Sequence, residues 1–139
     1  MESPGRASLP GAVLMLLDTD VLIDLYRLHP PAVAWFSALS NLPGVPGFSA
    51  MELLDGCRNK MEWRQVDRLL SAFLVYWPTD AEMQQCMKQF TGYRLAHNLG
   101  ILDALIAVTA VGRGEPLATF NVRHYRAVSG LMIVQPYTR

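Results

Sequence analysis

The sequence predicts an α/β fold in which helices wrap a parallel sheet. Short apolar runs, each too brief for a helix, alternate with longer segments of helical spacing. That alternation is what strands joined by helical crossovers produce. Acids also interrupt the apolar pattern at Asp18 and Asp103, where a folded core would otherwise continue.

The elements follow in order. Val13-Leu14-Met15-Leu16-Leu17 reads as a buried strand over 12–17, and Asp18-Thr19-Asp20 opens a helix over 19–27. Pro30-Pro31 suits the first turn of a second helix, 30–40. A short strand lies between Leu42 and Phe48, and a helix runs from Ser49 to Cys57. Met61, Val66, Leu69, Leu70 and Phe73 give helical spacing over 59–72. Leu74-Val75-Tyr76-Trp77 reads as a buried strand. Thr79 opens a long helix to about Asn98, with Gly100 as its stop, and a further helix spans Leu102 to Gly112. Leu117 to Phe120 is a strand, Asn121 to Ala127 a short helix, and Leu131 to Val134 the last strand.

The 139 residues fit one domain, with 51% apolar side chains for its core. Residues 1–11 read as a flexible tail, with Met15 a candidate natural start, and 12–139 as the folded unit. Twelve basic and twelve acidic side chains cancel. A polyanionic partner must then be held by a local patch or a bound metal, not by a global field. Cys57 and Cys86 have no zinc-like spacing and read as buried free thiols of a reducing cytoplasm. No apolar run approaches the roughly 18–20 residues of a membrane helix.

Each acid has an ordinary structural reading. Asp18 and Asp20 flank a helix start and suit capping. Ser49-Ala50-Met51-Glu52 has the form of a capping box, as does Thr79-Asp80-Ala81-Glu82. Asp103 and Asn121 each stand where they can cap their own helix. Together they read differently. In an open parallel sheet, every helix after a strand starts at the same edge. The motifs after the first, second and fourth strands therefore face a common rim. Asp103 follows a helix, so the sequence alone does not bring it there. If Asp18, Glu52 and Asp103 meet, they repel one another, and a divalent cation such as Mg²⁺ or Mn²⁺ is the natural counter-charge. His29 and His97 read as surface residues, while His124 lies near the rim. Arg58, Lys60, Arg64 and Arg68 recur after Glu52, and Arg123 and Arg126 follow Asn121. A solvated helical face accounts for such charges, and a phosphate-contacting patch is the functional alternative.

Leu16-Leu17-Asp18-Thr19-Asp20-Val21-Leu22-Ile23-Asp24, Ser49-Ala50-Met51-Glu52-Leu53-Leu54, the Leu102 to Ala110 segment around Asp103, and Ala118-Thr119-Phe120-Asn121-Val122-Arg123-His124-Tyr125 occur in that order. The set resembles the PIN-domain family, and most closely the VapC-type toxins of bacterial toxin–antitoxin pairs, from about Val13 to Pro136. The resemblance implies a three-layer α/β/α sandwich with a mostly parallel central sheet. It also implies a Mg²⁺- or Mn²⁺-dependent endoribonuclease whose catalytic, metal-holding acids are Asp18, Glu52 and Asp103. Asp20 stands where the family usually has asparagine. The last motif, which commonly adds an acid, offers Asn121 and His124 instead. Thr119, at a strand end, is placed to support the site through its hydroxyl. A homodimer and a small VapB-like antitoxin are implied as partners, in the cytoplasm and with no membrane.

Hydrolysis of an RNA phosphodiester is the mechanism these residues imply, with Arg58, Arg123 and Arg126 steadying the backbone. Asp18-Thr19-Asp20 also resembles the nucleophile motif of haloacid-dehalogenase-type phosphatases. The only lysines, Lys60 and Lys88, stand at no strand end, which counts against that reading. A catalytically weak module that binds RNA or a partner is the non-enzymatic alternative.

Overall fold

A computed structural model of the chain describes residues 14–139. The expected tail, and the start of the first strand, lie outside the described residues. Twelve elements follow one another: β1 (Leu16–Leu17), α1 (Thr19–Tyr26), α2 (Pro30–Ser37), β2 (Val45–Pro46), α3 (Gly47–Asp55), α4 (Lys60–Leu70), β3 (Val75–Tyr76), α5 (Asp80–His97), α6 (Ile101–Arg113), β4 (Leu117–Ala118), α7 (Val122–Tyr125) and β5 (Ile133–Val134).

All described strand pairs are parallel. β4 lies between β1 and β5, with Leu16 opposite Leu117 and Leu117 opposite Ile133. β2 pairs with β3, Val45 opposite Val75. A parallel bridge from Leu16 to Gly44 joins the two halves, so the strands run in the order β3-β2-β1-β4-β5. The chain steps to one side of β1 and later to the other. A crevice therefore opens at the carboxyl ends of β1 and β4, where the strand order reverses.

Side-chain alternation puts an apolar layer on each face of this sheet. Leu17, Val45 and Ala118 pack with Val21, Leu22 and Leu25 of α1, Ala32 of α2, Ala50 and Leu53 of α3, and Val66 and Leu70 of α4. Leu16 and Leu117 face the other way, against Ile106, Ala107 and Ala110 of α6 and the ring of Tyr125. The three layers are thus helices, sheet and helices, the predicted α/β/α sandwich. α5 fully buries no residue, and half-buried Cys86 on it faces the Ala104 carbonyl of α6.

The two halves of the sheet meet tightly at Gly44. Its N–H donates to Met15 O at 2.8 Å, and its carbonyl accepts from Leu17 N at 3.0 Å. A Cβ here would overlap the Tyr76 ring and meet Leu16 Cδ2 at 3.0 Å. The Tyr76 ring is itself covered by the Arg113 guanidinium, 3.7 Å from its centre. Gly44→Ala is therefore expected to cost about 1–3 kcal/mol, as other overpacked cores do, read as a lower urea midpoint at unchanged slope.

Several helix boundaries differ from the sequence expectation, each for a local reason. α3 begins at Gly47, two residues early, so Ser49 lies inside the helix. Its hydroxyl is buried without a hydrogen-bond partner among the described residues, and the expected box with Glu52 does not form. The second box does form: Glu82 N donates to Thr79 Oγ1 at 3.1 Å, and Thr79 N to Glu82 Oε1 at 2.8 Å. Asn98, not Gly100, ends α5 by turning left-handed (φ 56°), and Gly100 becomes the cap of α6. β3 lies at the sheet edge, so Val75 and Trp77 are exposed where a buried strand was expected. Met61 is exposed too. Cys57 and Cys86 are free but only half-buried. His29 is half-buried, its ring 6.2 Å from that of Tyr137.

Candidate active site

The crevice at the switch point is lined by Asp18, Thr19, Asp20, Ile23, Glu52, Asp103 and Asn121, around a cavity of about 380 Å³. Four of these seven side chains are acids, and they come from three separate segments.

Asp18 follows β1 directly. Its backbone N–H donates to Ala118 O of β4 at 3.0 Å, so the sheet itself fixes its position. It is the cap of α1, and Oδ1 accepts from Thr19 N at 2.8 Å. Capping is only part of its role, because Oδ2 accepts from the Thr119 hydroxyl at 2.7 Å. Only 5% of the residue is exposed. Burial, and then the neighbouring Asp20 charge, push its carboxyl up to about 7, against the bonds from Thr119 and Thr19.

Asp20 is held as firmly. Its carboxylate accepts from Val21 N at 2.7 Å and from Phe120 N at 2.9 Å, just past β4. Burial raises its pKa, against those two N–H groups and the Arg139 charge. Glu52, on α3, accepts from the Thr19 hydroxyl. Asp103 lies in the first turn of α6 and does not cap it. Burial raises its pKa, and the nearby Glu52 charge adds to this against the Tyr125 hydroxyl.

The remaining expected residues divide. Thr119 underlies the acids: it donates to Asp18 and accepts from Asn121 N at 3.0 Å. Asn121 lines the cavity but makes no side-chain cap. His124 is exposed on α7, near enough for its charge to favour ionised Asp103. Arg58 pairs with Glu62 at 2.8 Å and lines a neighbouring groove of about 500 Å³ that shares Ile23 and Glu52 with the acid cavity. Arg123 and Arg126 are exposed and do not line the cavity. Lys60 and Lys88 are exposed on α4 and α5, also away from it.

Three residues with polar contacts on or beside the acids escaped the sequence reading. Thr19 reaches Glu52 through its hydroxyl. Tyr125 reaches both Asp18 and Asp103. Asp24 is buried, accepting from the Tyr137 hydroxyl at 2.7 Å and from Arg139 Nη2 at 3.0 Å. For Asp24 a signal existed, its four-residue spacing from Asp20 on one helix face. For the other two, nothing in the sequence separates a packing side chain from a reaching one.

The donor set decides which ion fits. Every polar group that the acids offer the cavity is oxygen, which suits a hard divalent cation. Among the described residues, no three His, Cys, Asp or Glu side chains stand close enough to form a ready-made metal cage. Mg²⁺ does not need one. It is commonly held by one or two carboxylates, keeping several waters and completing its shell with substrate phosphate. An open crevice with buried Asp18 and half-buried Asp103 on one side meets that requirement.

Comparison with known proteins places the family and the fold. The family model described as PIN domain matches residues 15–129. Ribonuclease VapC10 of Mycobacterium tuberculosis is 37% identical over 115 residues, 81% of this chain and 86% of the relative. Among solved structures, a toxin–antitoxin complex from Klebsiella pneumoniae contains a chain matching with TM-score 0.69 and 24% identity, over 90% of this chain and 99% of that one. VapBC2 from Rickettsia felis, bound to a promoter DNA fragment, matches with TM-score 0.73 and 19% identity over 87% and 97%. DNA-bound VapBC from Salmonella typhimurium matches with TM-score 0.73 and 21% identity over 88% and 98%. These structures share the fold.

Proposed function

The chain belongs to the PIN domain family, and from that premise we propose that it is a metal-dependent endoribonuclease, the toxin of a toxin–antitoxin pair. The observation that carries the reading is the convergence of Asp18, Asp20, Glu52 and Asp103 on one cavity at the switch point of the sheet. The relative named as a ribonuclease supports RNA as the substrate.

In this reading Asp18, Glu52 and Asp103 hold Mg²⁺, with Mn²⁺ as a substitute. A bound divalent cation supplies Lewis acidity toward the phosphoryl group and acidifies water at neutral pH. The chain's own residues do the rest. Thr119 and the Thr19 N–H fix both oxygens of Asp18 in direction. Phe120 N does the same for Asp20, which keeps the geometry of the first motif. The Thr19 hydroxyl steers Glu52 toward the cavity edge shared with the adjoining groove. Arg58 stands along that groove, paired with Glu62, where its guanidinium can also meet the phosphate of a strand of RNA leaving the cavity. Arg123 on α7 and Arg126 at its C-terminal end present further charge, with the His124 imidazole between them.

Residues 12–139 act as one nuclease domain in this proposal. A small VapB-like antitoxin, which the toxin–antitoxin complexes of the same fold support, and a second copy of the chain are its partners in this proposal. Among the described residues no helix is long and apolar enough to cross a membrane. We place the activity in the cytoplasm, with its RNA.

The test is cleavage of defined RNAs by the purified chain. Internal cuts are expected with Mg²⁺ or Mn²⁺, none in EDTA, and recovery when Mn²⁺ is added back. RNA that is bound but left uncut in both metals would overturn the enzyme and favour a binding module.

A further inference from the structure

Tyr125 stands between the two acids on which the proposed cation site most depends. Its hydroxyl is 3.3 Å from Asp18 Oδ1 and 3.3 Å from Asp103 Oδ1. Those acids are far apart along the chain, at the end of β1 and the start of α6. Among the described residues, Tyr125 is the one whose side chain bonds to both.

The placement is rigid. The residue has no exposed surface, and its ring packs with Leu16, Leu117, Ile106 and Ala110. Its backbone N–H donates to Asn121 O at 3.2 Å, anchoring it in α7. The core, not the solvent, thus decides where the hydroxyl stands. A phenol carries one proton and can give it to only one carboxylate at a time. The two distances are equal, and both are long for a charge-assisted bond, which runs to about 2.5–2.7 Å. The hydroxyl therefore stands between the pair and touches each from a fixed point in the core.

We propose that Tyr125 is a positioning residue that sets the gap between Asp18 and Asp103 for a small divalent cation. The inference rests on the proposed role of those two acids. It adds that the gap is built by a third residue outside the ligand set, and that the gap selects by size. Mg²⁺ demands near-ideal octahedral geometry at short distance, whereas Ca²⁺ accepts longer and looser coordination. A core-anchored spacer favours the former. Removing it frees the carboxylates to adapt to the latter.

Tyr125→Phe deletes the hydroxyl and keeps the packed ring. The experiment measures Mn²⁺, Mg²⁺ and Ca²⁺ affinity by calorimetry on wild type and variant, with no RNA present. Near-ultraviolet circular dichroism confirms the fold of each. The expected result is roughly a tenfold or greater loss of Mn²⁺ and Mg²⁺ affinity, the usual scale for residues that orient metal ligands. Ca²⁺ affinity should fall less, so discrimination narrows. Equal affinities in the two proteins, or tighter Mg²⁺ binding by the variant, would overturn the spacer role while leaving the nuclease reading intact. Failure of the wild type itself to bind Mn²⁺ would overturn both. A second readout needs only the wild type: Mn²⁺ should perturb the tyrosine ultraviolet difference spectrum, and a spectrum unchanged at saturating Mn²⁺ would count against the proposal.

Discussion

Asp18→Asn should lower RNA cleavage by on the order of a thousandfold or more, the scale of losing one preorganised charge at a transition state. It should also yield a metal-free protein more resistant to unfolding at pH 8 than the wild type. The two effects share one cause. The carboxylate is 5% exposed beside a second acid, and its ionised form is disfavoured up to about pH 7. Ionising it at pH 8 costs the fold up to about 4 kcal/mol, by the conversion of a pKa displacement into free energy. An amide of the same shape removes that cost. It keeps an oxygen for the Thr19 N–H and presents its NH₂ group to Thr119 Oγ1. The Thr119 proton then turns toward Asp20 Oδ2, already 3.4 Å away. Initial cleavage rates and urea midpoints in EDTA check the two halves separately. A variant that cuts RNA at the wild-type rate would remove Asp18 from the reaction.

The metal-free wild type should lose stability as pH rises from about 4 to about 7, by up to about 4 kcal/mol from Asp18 alone. The sign follows from proton counting. A raised carboxyl pKa means that the native state holds a proton in this window when the unfolded state has released it. Asp20 and Asp103 are displaced in the same direction and add to the slope. Asp24 acts oppositely. Burial works against its charge, but the Tyr137 hydroxyl and Arg139 outweigh it and lower its pKa. Its contribution is present above the ordinary carboxylate range and lost as pH falls below it. Metal-free stability should therefore peak in mild acid. A cation bound by the same acids reverses the upper limb, since anything that binds only the native state stabilises it. Urea unfolding at pH 5 and pH 8 in EDTA, repeated at pH 8 in Mn²⁺, measures all of this. Stability that rises from pH 5 to pH 8 in EDTA would contradict the buried-acid account.

Much of the candidate site was legible because burying an acid is costly. A chain that places Asp18 at the end of Val13–Leu17 signals a reason, and the shared rim of a parallel sheet brings Glu52 and Asn121 to the same crevice. Asp103 was legible as an anomaly but not as a location. It reaches the crevice because α6 starts there, a fact of helix packing that no strand-end rule supplies. Ser49 misled, because the Ser-x-x-Glu pattern fits a capping box whichever residue starts the helix, and α3 starts at Gly47. The strands were read too long, since apolar runs report burial whereas ladder pairing stops after two residues, as at Leu16–Leu17. Tyr125 was invisible in this respect. Its ring packs like any core aromatic, and only the approach of residues 18 and 103 gives its hydroxyl a use.

The proposed divalent cation is held between the Asp18 and Asp103 carboxylates. Anomalous diffraction from crystals of the chain grown with Mn²⁺ locates that ion directly. A single strong peak in contact with oxygens of both residues, with Glu52 at its edge, is the predicted result. A Mn²⁺-saturated crystal with no peak in the crevice, or with its peak on another face, would contradict it.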